Sequence, residues 1–66
     1  MRAQEITAVR ERLRRVPATL YQADCHLEMV VRYGWTIGDR DPGQDAVDAL
    51  TDAIDELESI REDLVG

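Results

Sequence analysis

The chain contains no lysine, a single cysteine, a single histidine, two prolines and four glycines in 66 residues. Nor does any apolar run approach the roughly 20 residues of a membrane span. Each scarcity closes off a class of protein. Cys25 alone cannot close an internal disulfide, and no Cys/His group has the spacing of zinc ligands. With no lysine, no histidine in a loop and no glycine-rich phosphate loop, neither a catalytic constellation nor a cofactor or metal site is expected. The sequence reads as non-enzymatic, with no small-molecule substrate and no membrane partner. The opening Met1-Arg-Ala-Gln-Glu5 lacks the apolar stretch of a secretory leader, so the expected compartment is the cytoplasm, which suits a lone thiol.

Every basic residue is arginine, eight against fourteen acids, for a formal charge of −6. Such usage reads as the mark of a GC-rich genome, that of an actinobacterium or its phage, with salt adaptation as the second reading. The charge is uneven. Residues 1–38 carry six arginines and four acids, a net +2, whereas residues 39–66 carry two arginines and ten acids, a net −8.

What the chain does have is periodicity. Ile6, Val9, Leu13, Val16, Leu20, Ala23, Leu27 and Val30 alternate spacings of three and four, a heptad stripe on one helix face. A second stripe follows in Val47, Leu50, Ile54, Leu57 and Leu64, flanked by Ala46, Ala53 and Ile60. The spacing predicts one all-α domain over 1–66: a helix over about 3–33, a turn over 34–41 and a helix over about 42–65, folded as an antiparallel hairpin. Leu20 then falls near Leu57, and Leu27 near Leu50.

Local signals punctuate this pattern. Gly34 suits a left-handed helix end. Asp41-Pro42-Gly43-Gln44 reads as N-cap, first helical position and the start of a capping box closed by Gln44. Pro17 interrupts the first helix, where it removes a hydrogen bond to Leu13 and disfavours helical geometry at Val16. Because the heptad phase crosses Pro17 without a slip, a long kinked helix is expected, in preference to a break with Pro17 opening a new helix.

A core this small seldom supplies more than about 3–5 kcal/mol, so oligomerisation is the expected staple. Two features point to a homodimeric four-helix bundle. The Ile6–Leu13 part of the stripe outruns the second helix, and Tyr21, Cys25, Met29 and Tyr33 add apolar character on a second side. The expected self-association residues are Ile6, Val9, Leu13, Val16, Leu20, Tyr21, Leu27, Met29 and Val30.

Four other features invite functional readings. Asp45, Asp48, Asp52, Asp55 and Glu62 line one face of the second helix, with neighbours about 5–6 Å apart. That row could receive a basic partner protein, or mimic a nucleic-acid strand in the manner of a phage inhibitor; its bland reading is a solvated face. Arg10, Arg12, Arg14 and Arg15 could contact phosphates, yet no aromatic residue lies among them and Glu11 is placed to pair with Arg15, so nucleic-acid binding is the third reading. Asp24 and Glu28 share a face, but His26 does not join them. Trp35, in its glycine-flanked turn, is expected to cap the hairpin, with an exposed aromatic anchor for a partner as the alternative. The function that fits best is a small interaction or regulatory module acting as a homo-oligomer.

Overall fold

The computed structural model describes residues 2–66. It is all-helical: α1 spans Ala3–Leu13, α2 Val16–Tyr33 and α3 Pro42–Val65. At 1.5 Å per residue α3 is about 36 Å long. It packs along both α2 and α1, giving a rod of 49 × 16 × 15 Å.

The long first helix expected over 3–33 is divided. The Arg14 N–H still donates to the Arg10 carbonyl at 3.0 Å, but the Arg15 N–H tightens to the Arg12 carbonyl at 3.1 Å, and the regular ladder stops. The cause is Pro17, which lacks the N–H that would bond Leu13; placed in the first turn of α2, it gives up a donor that a helix start leaves unpaired anyway. Arg14 and Arg15 keep right-handed helical angles (φ −67°, ψ −17° and φ −80°, ψ −23°). The chain therefore does not reverse, and the heptad phase survives the break. Val16, despite the proline after it, is the first residue of α2 and is buried. Its packing outweighs the local preference.

At the other end, Gly34 caps α2 with φ 100°, and its N–H donates to the Val30 carbonyl at 2.8 Å. Ile37 and Arg40 then exchange two backbone hydrogen bonds, at 2.9 and 2.8 Å. Gly38 between them takes φ 57°, the positive value a type II′ turn needs at its first central position. Asp41 caps α3 by accepting from the Gln44 N–H at 3.4 Å. The expected capping box closes only halfway, because the Gln44 side chain donates forward to Asp48 at 3.0 Å.

The core is built of small residues. Val9, Val16, Ala23, Ala46, Ala49, Ala53 and Ile60 are each at most 8% exposed. They sit on two heptad seams. Val9, Val16 and Ala23 recur every seven residues, with half-buried Val30 continuing the series and Arg12, Thr19 and His26 between them. On α3 the seam is Ala46, Ala49, Ala53, Glu56 and Ile60. Alanines let the two backbones approach closely.

One polar clamp interrupts this seam. Arg12 reaches from α1 to α3, where its Nε donates to Glu56 Oε1 at 3.0 Å, one terminal nitrogen to Ser59 Oγ at 2.6 Å, and the other to Asp63. Hydrogen bonds to Asp63 and then to Glu56 hold the guanidinium above the ordinary arginine value. A charged pair at core positions fixes register and direction more than it adds stability. The clamp also corrects one expectation. Val9 packs beside the Glu62–Gly66 end of the chain, so the Ile6–Leu13 segment does not simply overhang. Of the four arginines from Arg10 to Arg15, it is Arg12 that meets the acids of α3.

Candidate functional site

Apart from Val9, Val16 and half-buried Val30, the large apolar side chains of both stripes are not in the core. Their exposure runs from 38% at Ile6 to 53% at Ile54, with Leu13, Leu20, Leu27, Val47, Leu50, Leu57 and Leu64 between. The reason lies in the seams. Leu13, Leu20 and Leu27 each follow one residue after Arg12, Thr19 and His26, and Leu50, Leu57 and Leu64 each follow one residue after Ala49, Glu56 and Asp63. Adjacent helix residues diverge by about 100°. The leucines therefore flank the seam, at the position after its second core residue on both helices. In an antiparallel pair those positions emerge on the same side, so the two rows form one face.

This overturns the expected division of labour within the first stripe. The stripe was to divide along its length, with its N-terminal part seeking another chain. It divides instead across its width: Val9, Val16 and Ala23 turn inward, while Ile6, Leu13, Leu20 and Leu27 line the open face. On α3 the expected apolar face is likewise displaced by one residue, with the flanking alanines as the core.

Trp35 completes the face at the turn end. It is 52% exposed, and its indole lies over Gly43, where a Cβ would fall inside the ring system. Gly43 stands seven residues before Leu50 in the same row, so the indole occupies the place of the missing side chain. The Gly43 N–H also donates to the Trp35 carbonyl at 3.2 Å. Thus Trp35 caps α3 with one side of its ring and presents the other to solvent.

The remaining candidates lie elsewhere. Tyr21 is 69% exposed, and the neighbouring Cys25 raises its phenol above the ordinary value; the charges of Asp24 and Glu28 act in the same direction. Met29 is half-buried beside Pro42 and Asp45. Neither joins the leucine rows. Asp45, Asp48, Asp52, Asp55 and Glu62 are all exposed on the sides of α3 away from the leucines. Glu28 pairs with Arg32 at 2.9 Å, while among the described residues Arg10, Arg14 and Arg15 form no salt bridge, and Glu11 does not pair with Arg15. No group of three or more His, Cys, Asp or Glu among the described residues is arranged to hold a metal ion, and no described helix is long and apolar enough to cross a membrane. Compared with protein families, curated proteins and solved structures, the chain matches none.

Proposed function

We propose that the protein is a small interaction module that works as a homodimer, its leucine face closed by a second copy to make a four-helix bundle. The observation that carries this reading is the inversion of the fold, with alanine inside and leucine outside. Full burial of a Leu, Ile or Val side chain is worth about 1.5–3 kcal/mol, so covering the open part of the nine aliphatic side chains on this face contributes on the order of 10 kcal/mol per protomer. Two such faces exceed the roughly 4–15 kcal/mol that association costs. Contiguous apolar surface of this kind marks an interaction site. Sedimentation at micromolar concentration tests the reading: a dimer is expected for the wild type, and a monomer for Leu20→Asp with Leu57→Asp. A folded wild-type monomer would overturn it.

The dimer leaves the acidic side of α3 outward. Among the described residues Asp45, Asp52, Asp55 and Glu62 form no salt bridge there, which favours that row as the contact for a basic partner protein. Loss of that contact in Asp52→Asn with Asp55→Asn, at unchanged helix content, is the expected result; undiminished binding would assign the row to solvation alone.

A further inference from the structure

The leucine face has an internal symmetry about its midpoint. On α1 and α2 the residues fronting it can be counted outward from Pro17. Arg10 and Asp24 then stand seven residues away each, and to within one residue Leu13 is matched by Leu20 and Ile6 by Leu27. On α3 the midpoint is Ile54, with Leu50 and Leu57 on either side. Arg10 and Asp24 are both exposed, and among the described residues neither is held in a salt bridge.

We propose that two copies close on this face head to tail, about a two-fold axis passing Pro17 and Ile54, with Arg10 of each chain set against Asp24 of the other. The inference rests on the homodimer reading and adds its geometry. Only two isologous arrangements bring one such face onto another. Turned end for end, a copy lays α3 on α3, with Leu50 on the partner's Leu57, Ile54 on its own copy and Val47 level with the partner's Arg61, and it lays Arg10 on the partner's Asp24 twice over. Turned about the long axis, it lays α3 on the partner's α1 and α2 at equal height. The register that sets Arg12 against Glu56, Ser59 and Asp63 then puts Arg10 level with the partner's Arg61. That arrangement opposes Arg10 to Arg61 twice at the α1 end, which disfavours it. Charge complementarity therefore selects the head-to-tail form.

Two measurements separate the outcomes. In a Cys25→Ser background, Ile54→Cys should form an intermolecular disulfide readily, because the axis brings it to its own copy. Leu64→Cys should not, since ten residues of helix on each side of the axis separate the two copies by about 30 Å. Charge reversal gives an independent sign. Arg10→Asp should weaken dimerisation roughly tenfold, and adding Asp24→Arg should restore it, as expected for two solvent-exposed pairs. Disulfide formation by Leu64→Cys and tighter dimerisation of Arg10→Asp would overturn the head-to-tail geometry while leaving the dimer intact. A wild-type monomer in sedimentation would instead overturn the homodimer reading itself.

Discussion

The indole of Trp35 rests on the backbone of Gly43, the second residue of α3, in the space that a side chain at that position would fill. The contact ties the interhelical turn to the helix it precedes, and it makes Gly43 a packing residue. In an isolated helix, alanine for glycine stabilises by up to about 1 kcal/mol. Here Gly43→Ala is expected to destabilise by about 1–3 kcal/mol, because the added methyl displaces the ring. Urea unfolding gives the sign, and a red-shifted tryptophan emission reports the displaced indole. A stabilised variant with unchanged emission would show that the ring does not pack there.

Arg12 is the one long-range polar contact between α1 and α3 among the described residues. Arg12→Met keeps the stem and removes the three hydrogen bonds, leaving Glu56 half-buried without its partner. The melting temperature should fall, and fall less in 1 M salt, where the charge interaction is screened. The double variant Arg12→Leu with Glu56→Leu should recover much of the loss, since an apolar pair of similar size can replace a buried ionic one. Thermal melts at two salt concentrations decide it.

Helix identity was legible in the chain because it depends on local signals: Asp41 and Pro42 before α3, Gly34 after α2, and apolar spacings of three and four. Which stripe faces inward was not. Leucine outweighs alanine in any hydrophobicity count, so Leu50, Ile54 and Leu57 attract the eye, while Ala46, Ala49 and Ala53 look like flanks. The seam is settled by how closely two backbones can approach, a property of the pair of helices and not of either alone. The break at Arg14 and Arg15 had its cause in view at Pro17, but the unbroken heptad phase argued against it. Phase and hydrogen bonding turn out to be separable, because two residues with helical angles carry the periodicity across. The indole over Gly43 left no trace in local sequence, since the turn alone brings the two residues together.

Ala53 and Leu57 test the inverted core directly. Ala53 is 2% exposed and Leu57 41%. Ala53→Leu should force the helices apart and cost about 1–3 kcal/mol at every protein concentration. Leu57→Ala removes surface that the chain itself only half covers, so under the homodimer reading its cost should grow with protein concentration as the proposed dimer gains population. Denaturant unfolding at micromolar and at hundredfold higher concentration distinguishes the two behaviours. Equal, concentration-independent losses would place Leu57 in the protomer's own core.

The acids of α3 are distributed against its dipole as much as with it. Asp45 lies in the first turn, where negative charge is favourable, but no basic residue occupies the last turn, which carries Glu62 and Asp63. Glu62→Lys should therefore stabilise by about 0.3–1 kcal/mol, and Asp45→Lys should destabilise by a similar amount, both effects shrinking in high salt. The pair also separates two roles for the acidic row. If the row only solvates the helix, the two variants differ in sign and nothing else. If it receives a basic partner, both lose affinity whatever they do to stability, because both remove a carboxylate and add a cation on the contacting side. Melting temperatures and partner titrations on the same two variants tell these apart.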